Sequence, residues 1–203
     1  MKQQIVKEVG FLPKDGLEII TFESLDQWER WLAKNHAKSN GIWLRIFKKN
    51  SSTRTISYAE ALDGALCYGW IDGQKDKYDA YSWLQRFTPR RPKSIWSKRN
   101  IEHIERLIKV KKIKIAGLRE IEKAKEDGRW SAAYDSPSNS EVPDDFLKAL
   151  ARNKKAKAFF DTLNKANLYS ITWRLQTAKK SETREKRMKA IIEQLAQNIK
   201  FNE

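Results

Sequence analysis

An α+β fold is what this 203-residue chain predicts: a small antiparallel or mixed sheet with packed helices, followed by an all-α C-terminal segment. Three observations carry that reading. Short β-rich runs alternate with capped helical stretches before residue 135. From residue 142 onward the apolar residues recur at helical spacing with no strand pattern among them. Apolar content of 40% with 11% aromatic residues suffices for a packed core. The turn-rich stretch at 133–139, AYDSPSN, gives the expected boundary. It separates an α+β domain at 1–135 from a helical module at 142–203.

The elements follow in order. Residues 17–22, LEIITF, form a β-rich run behind the turn signal Lys14-Asp15-Gly16. Ser24 fits an N-cap with Gln27 reaching back, and Leu25, Trp28 and Leu32 recur on one face of the helix it opens, widened by Trp31. Residues 42–48 read as a strand, and apolar character on both sides marks it as central. Ser57 and Glu60 make a second capping box, opening a helix that buries Ala61, Leu62, Ala65 and Leu66 and stops at Gly69.

Trp70-Ile71-Asp72 and residues 81–88 read as two strands joined by a polar connection, with Asp72-Gly73 as a turn pair. Pro89 and Pro92 halt the sheet. Ser94 is the expected N-cap of a helix from Ile95 to about Lys109, with Ile101, Ile104 and Ile108 on its buried side. A shorter helix at 118–126 closes at Asp127-Gly128. In the C-terminal module Pro143 suits the first helical position. The helical sets are Phe146, Leu147 and Leu150; Ala156, Phe159, Phe160 and Leu163; Leu168, Ile171 and Leu175; and Met188, Ile191, Ile192 and Leu195.

Charge is the first clue to function. A net charge of +15 favours anionic partners such as nucleic acid, anionic lipid or acidic protein. A single cysteine, Cys67, excludes a disulfide within the chain and suits a reducing compartment. The first residues carry no apolar signal-peptide core, and no apolar run reaches about 18 residues, so no membrane insertion and a cytoplasmic location are expected. His36 and His103 lie far apart, so no metal site and no cofactor are expected, and His103 is read as solvated. Neither a Walker A sequence nor a dinucleotide fingerprint occurs.

The sharpest candidate site spans residues 88–100. A helix N-terminus offers free N–H groups and partial positive charge, which attract an anion. Arg90, Arg91, Lys93 and Ser94 precede the expected terminus, and Lys98 and Arg99 lie in its first turns. Trp96 supplies a flat wall suited to stacking a base, and Arg86 on the preceding strand completes the pocket. The plainer reading leaves Trp96 and Trp83 in the core and the arginines solvated or paired with Asp72, Asp76 or Asp79. Trp70 and Asp72 form a second candidate pocket, in which Asp72 is a general base, an orienting partner for an arginine, or only part of a turn. Tyr169 and Trp173, one turn apart, are the candidate protein contact of the helical module.

Several long blocks carry a resemblance: SYAEALDGALCYGWIDGQ (57–74), WLQRFTPRRPKSIWSKRN (83–100), AGLREIEKAKEDGRW (116–130), VPDDFLKAL (142–150) and the helical stretch 156–188. In these the chain resembles the YdeI/OmpD-associated family of bacteria, also labelled bacteriocin-protection proteins. The resemblance implies a link to bacteriocin and envelope-stress tolerance, and brings no reaction, cofactor or catalytic residue with it. The expected function is non-enzymatic binding of an anionic partner, nucleic acid included. The alternatives are a protein-interaction module acting through the C-terminal helices, or an enzyme using Asp72 on a small anionic substrate.

Overall fold

The computed structural model describes residues 15–136 and 139–202. It divides into two compact units, one holding residues up to Ile95 together with Asn100–Ser131, the other Trp96–Arg99 and everything from Ala132.

The first unit is built on a four-stranded mixed sheet of order β1-β2-β4-β3. Strand β1 (Ile19–Ile20) pairs in parallel with β2 (Ile42–Phe47), which runs antiparallel to β4 (Ser82–Pro89), itself antiparallel to β3 (Trp70–Lys77). The apolar run at 17–22 thus yields only two paired residues, and β2 lies inside the sheet as its two-sided apolar pattern requires. Helices α1 (Leu25–Asn35) and α2 (Tyr58–Cys67) pack where Trp28, Trp31, Trp70 and Phe87 form an aromatic cluster. Trp28 is fully buried, and its Nε1 donates to the Ala61 carbonyl at 3.0 Å.

Both caps form, with one difference. Ser57 and Glu60 close a full capping box. Ser24 accepts from the Gln27 amide, but Gln27 Oε1 takes the amide of Glu23 instead of that of Ser24. Gly69, at φ +72°, ends α2 in the left-handed conformation that a side chain resists.

Asp72-Gly73 is not a turn. β3 continues through it to Lys77, and the register against β4 slips between Asp72 and Lys75, placing an extra residue in β3 as a bulge. Buried Gln85 holds the bulge by donating to the carbonyls of Gly73 (2.9 Å) and Gln74 (3.1 Å). The hairpin turns later, where Asp79 Oδ1 accepts from the amides of Tyr81 and Ser82.

Helix α3 spans Lys98–Lys109, starting three residues later than Ser94 would dictate, and α4 spans Ile115–Glu126. The core face of α3 is Asn100, Ile104 and Leu107, while Ile108 is exposed. The apolar stripe is therefore rotated from the expected Ile101–Ile104–Ile108 line, because Leu107 takes the inward position one turn after Ile104.

The second unit carries α5 (Asp144–Leu150), α6 (Lys154–Phe160), α7 (Lys165–Gln176) and α8 (Ser181–Ala196). Pro143 is the N-cap itself, one position before the expected first turn. Phe146, Leu150, Ala156, Phe160, Ile171, Leu175, Ile191 and Leu195 form its core. Part of the expected boundary segment, residues 137 and 138, lies outside the described residues. Among the described residues no helix is long and apolar enough to cross a membrane.

Candidate functional site

The residues after β4 set the geometry of the site. Pro89 ends the strand, and Arg91-Pro92-Lys93-Ser94 closes a turn in which the Ser94 amide donates to the Arg91 carbonyl at 3.0 Å. Proline in the second position and Lys93 at φ 69° in the third give this turn its type II shape. Lysine holds a conformation usually left to glycine, and its ammonium stands on an exposed corner as a result.

Two buried arginines fix the loop from beneath. Arg90, 7% exposed, donates through Nη1 to the Ile95 carbonyl at 3.3 Å. Arg129, 5% exposed, donates to the Ser94 carbonyl at 2.9 Å while its Nε is paired with Asp127. Arg90 is thus buried beneath the loop, holding its backbone through Nη1, and does not line the cleft surface.

The turn and the β3–β4 hairpin enclose an open concavity of about 500 Å³. Arg86, Arg91, Lys93 and Ser94 line it together with Ile71, Asp72, Gln74 and Thr88. Arg86 is already matched: its Nε lies 2.8 Å from Asp15, whose other oxygen accepts from Trp43 Nε1 at 3.0 Å. Burial pushes the Asp15 carboxyl up, but the hydrogen bonds from Trp43 and Arg86 outweigh it and hold the group below its ordinary value. Arg91 and Lys93 are exposed and form no ion pair among the described residues. With Arg86 matched by Asp15, they are, among the described residues, the two cations of the cleft outside an ion pair, and Asp72 is the carboxylate that shares it.

The remaining predicted residues are placed elsewhere. Trp96 is 1% exposed, so its faces are occupied by the protein and not open for stacking. Lys98 and Arg99 belong to the second unit, where Lys98 pairs with Asp135 at 2.7 Å and its amide donates to Tyr134. The residues expected at one helix N-terminus are therefore divided: Arg91, Lys93 and Ser94 lie on a loop turn of the first unit, and Lys98 and Arg99 lie at the start of α3 in the second. Trp70 is buried, with Nε1 donating to the His36 carbonyl. Asp72 accepts from Tyr58 Oη at 2.7 Å, which ties it to α2 and not to an arginine.

In the second unit Tyr134 packs edge-on against Trp173, and Tyr169 Oη donates to the Asp135 carbonyl at 3.4 Å. Both aromatics are engaged by their own unit's 134–135 segment, although Trp173 keeps 37% exposure. Cys67 is buried, and burial with the charges of Glu29 and Asp63 pushes its thiol up to about 11, leaving it protonated. Among the described residues no three His, Cys, Asp or Glu side chains are grouped to hold a metal ion.

Sequence reasoning missed Thr88, Ile71 and Gln74 in the cleft and Arg129 beneath it. The Pro-Lys-Ser turn and the period-2 register of β4 were the signals for the first of these, since Thr88 shares a face with Arg86. Arg129 gave no signal, because its partner is a backbone carbonyl distant in sequence.

Two family models match. Residues 139–198 match the family described as "Bacteriocin-protection, YdeI or OmpD-Associated". Residues 20–120 match a domain of unknown function (DUF8412), so the blocks at 57–74 and 83–100 fall under a different model from the C-terminal one. No curated protein and no solved structure matches the chain.

Proposed function

We propose that the protein is a non-enzymatic binding protein that takes an anionic chain, single-stranded nucleic acid in the first instance, on the cleft beside β4. The family match of the second unit links it to bacteriocin tolerance, and binding at the cleft is its contribution to that response. One observation carries the reading: Arg91 and Lys93 stand exposed and without an ion pair among the described residues, on a concavity that also gathers Arg86, Thr88 and Ser94. Asp72 is held by a tyrosine hydroxyl in an open site, which favours binding over acid–base chemistry. With Trp96 buried, affinity rests on charge and not on stacking. The complex is therefore weak, tolerant of base sequence and steeply dependent on salt.

The test is fluorescence anisotropy of a dye-labelled oligothymidine at low and physiological salt, with the intact protein and an Arg91→Ala/Lys93→Ala variant. Arg90 is left in place because it supports the loop. The expected result is saturable binding at low salt whose logarithmic salt slope falls by about 1.4 in the variant, roughly 0.7 for each single-strand phosphate that is no longer neutralised. Binding that survives the double change with an unaltered slope rules out the cleft.

A further inference from the structure

Apolar side chains exposed singly are ordinary, but a cluster of them calls for a partner. Among the described residues the large exposed ones include Ile108 (42%), Val110 (55%), Ile115 (71%) and Leu118 (40%), all of which flank the connection between α3 and α4. Ile115 and Leu118 lie one turn apart at the start of α4, while Ile108 lies in the last turn of α3 and Val110 directly follows it. Lys109, Lys111, Lys112 and Lys114 are interleaved with them, all exposed and in no ion pair among the described residues. No acidic residue occurs between Glu105 and Glu120.

The corner is held in shape. Lys111 adopts φ 55°, its amide donates to the Ile108 carbonyl at 2.9 Å, and the Lys112 amide donates to Leu107 at 3.0 Å. Those two bonds close α3 in the Schellman pattern. The Lys114 amide donates to the Cys67 carbonyl at 3.0 Å, which pins the start of α4 to the end of α2.

We propose that this corner docks on an anionic lipid surface. Aliphatic tips without aromatics suit insertion among acyl chains and offer nothing for bases to stack on. Lysine is depleted in protein–protein interfaces, whereas its long stem lies along apolar surface and lifts the ammonium to headgroup level at a membrane. Four unpaired lysines beside four aliphatic tips match a surface that is anionic outside and apolar within. This site is separate from the cleft and does not depend on it.

Flotation of the full chain with vesicles tests it, comparing pure phosphatidylcholine with phosphatidylcholine containing phosphatidylglycerol. The protein is expected to float only with the anionic vesicles, and less as salt rises. Lys111→Gly/Lys112→Gln keeps the left-handed residue and removes two charges, and should weaken partitioning about 30-fold, at roughly fivefold per lysine. Ile115→Ser should weaken it about tenfold without disturbing the fold, since the side chain is mostly exposed. Lys154→Gln/Lys155→Gln, an equal charge change on exposed residues of α6, should cost much less. Equal losses in the two lysine pairs would reduce the effect to overall charge and overturn the proposal. Absence of flotation at physiological salt overturns it as well, and so does oligonucleotide binding that the corner variants abolish while vesicles are ignored.

Discussion

Asp63 accepts from His103 Nδ1 at 2.7 Å and from Arg106 Nη2 at 2.6 Å, a cluster that ties α2 to α3. Burial pushes its carboxyl up, yet the hydrogen bonds from Arg106 and His103 and the arginine's charge prevail, and the group sits below its ordinary value of 3.8. The folded state therefore binds this proton less readily than the unfolded state. Stability from Asp63 is complete above the unfolded pKa near 3.8 and drains as pH falls through the lower folded value. Asp63→Asn is expected to lose about 1.5–3 kcal/mol at neutral pH, the range for hydrogen bonds to a charged group. Urea midpoints of both proteins from neutral pH down to pH 3 check this, because the gap should close on the acid side. A gap that stays constant across the range would assign the loss to shape and not to charge. His103 looked solvated in the sequence because its partner lies forty positions away, beyond any local pattern. Arg90 illustrates the same limit: an arginine in a basic run looks free until its burial and the carbonyl it reaches are known.

At the scale of elements, the caps at Ser24 and Ser57 and the stripes of the C-terminal helices were legible, whereas the start and facing of α3 and the sheet's irregularities were not. Ser57 with Glu60 is a local device, complete within four residues, so its sequence suffices to place it. The bulge at Gly73 depends on Gln85 across the ladder, and Asp-Gly alone favours the turn reading. The rotation of α3 likewise reflects which of two stripes sharing Ile104 the rest of the unit leaves room for, the one it buries carrying Asn100 and Leu107. Gly64 shows how such packing is specified. A Cβ there would lie 2.7 Å from Trp28 Cδ1 and 2.8 Å from its Nε1, so α1 and α2 meet as closely as they do only because the side chain is missing. Trp28 has nowhere to retreat, being fully buried, stacked on Trp31 and bonded to Ala61. Gly64→Ala gains about 1 kcal/mol of helix propensity. It is nevertheless expected to destabilise the protein by a net of up to about 2 kcal/mol, because overpacking a rigid core costs about 1–3. Chemical denaturation reads the difference directly, and a variant at least as stable as the parent would show that the indole can yield.

For the whole molecule, the chain holds two cores that differ in how local they are. The sheet of the first unit joins residues far apart in sequence, from Trp43 opposite Arg86 to Asp72 opposite Phe87. The core of the second unit draws its eight buried apolar residues from 146–195 alone. That locality is why its four helices were legible from spacing, while the recruitment of Trp96–Arg99 into the same unit, through the bridge between Ser97 and Tyr134, left no trace in composition. Buried Asn167 closes the unit from within, its Oδ1 accepting from the amides of Phe201 (2.8 Å) and Asn202 (3.0 Å). Since core and closure both lie inside residues 132–203, a fragment of that span is expected to fold by itself. It forfeits the bridge, the Lys98–Asp135 ion pair and the burial of Trp96, so it should be less stable than the same unit in the full chain, and a domain of this size is marginal to begin with. Circular dichroism should show a helical spectrum and one cooperative thermal transition at a lowered midpoint. A featureless, non-cooperative melt would mean that the 96–99 segment is required for the core to form, and that the helical module is not an autonomous domain.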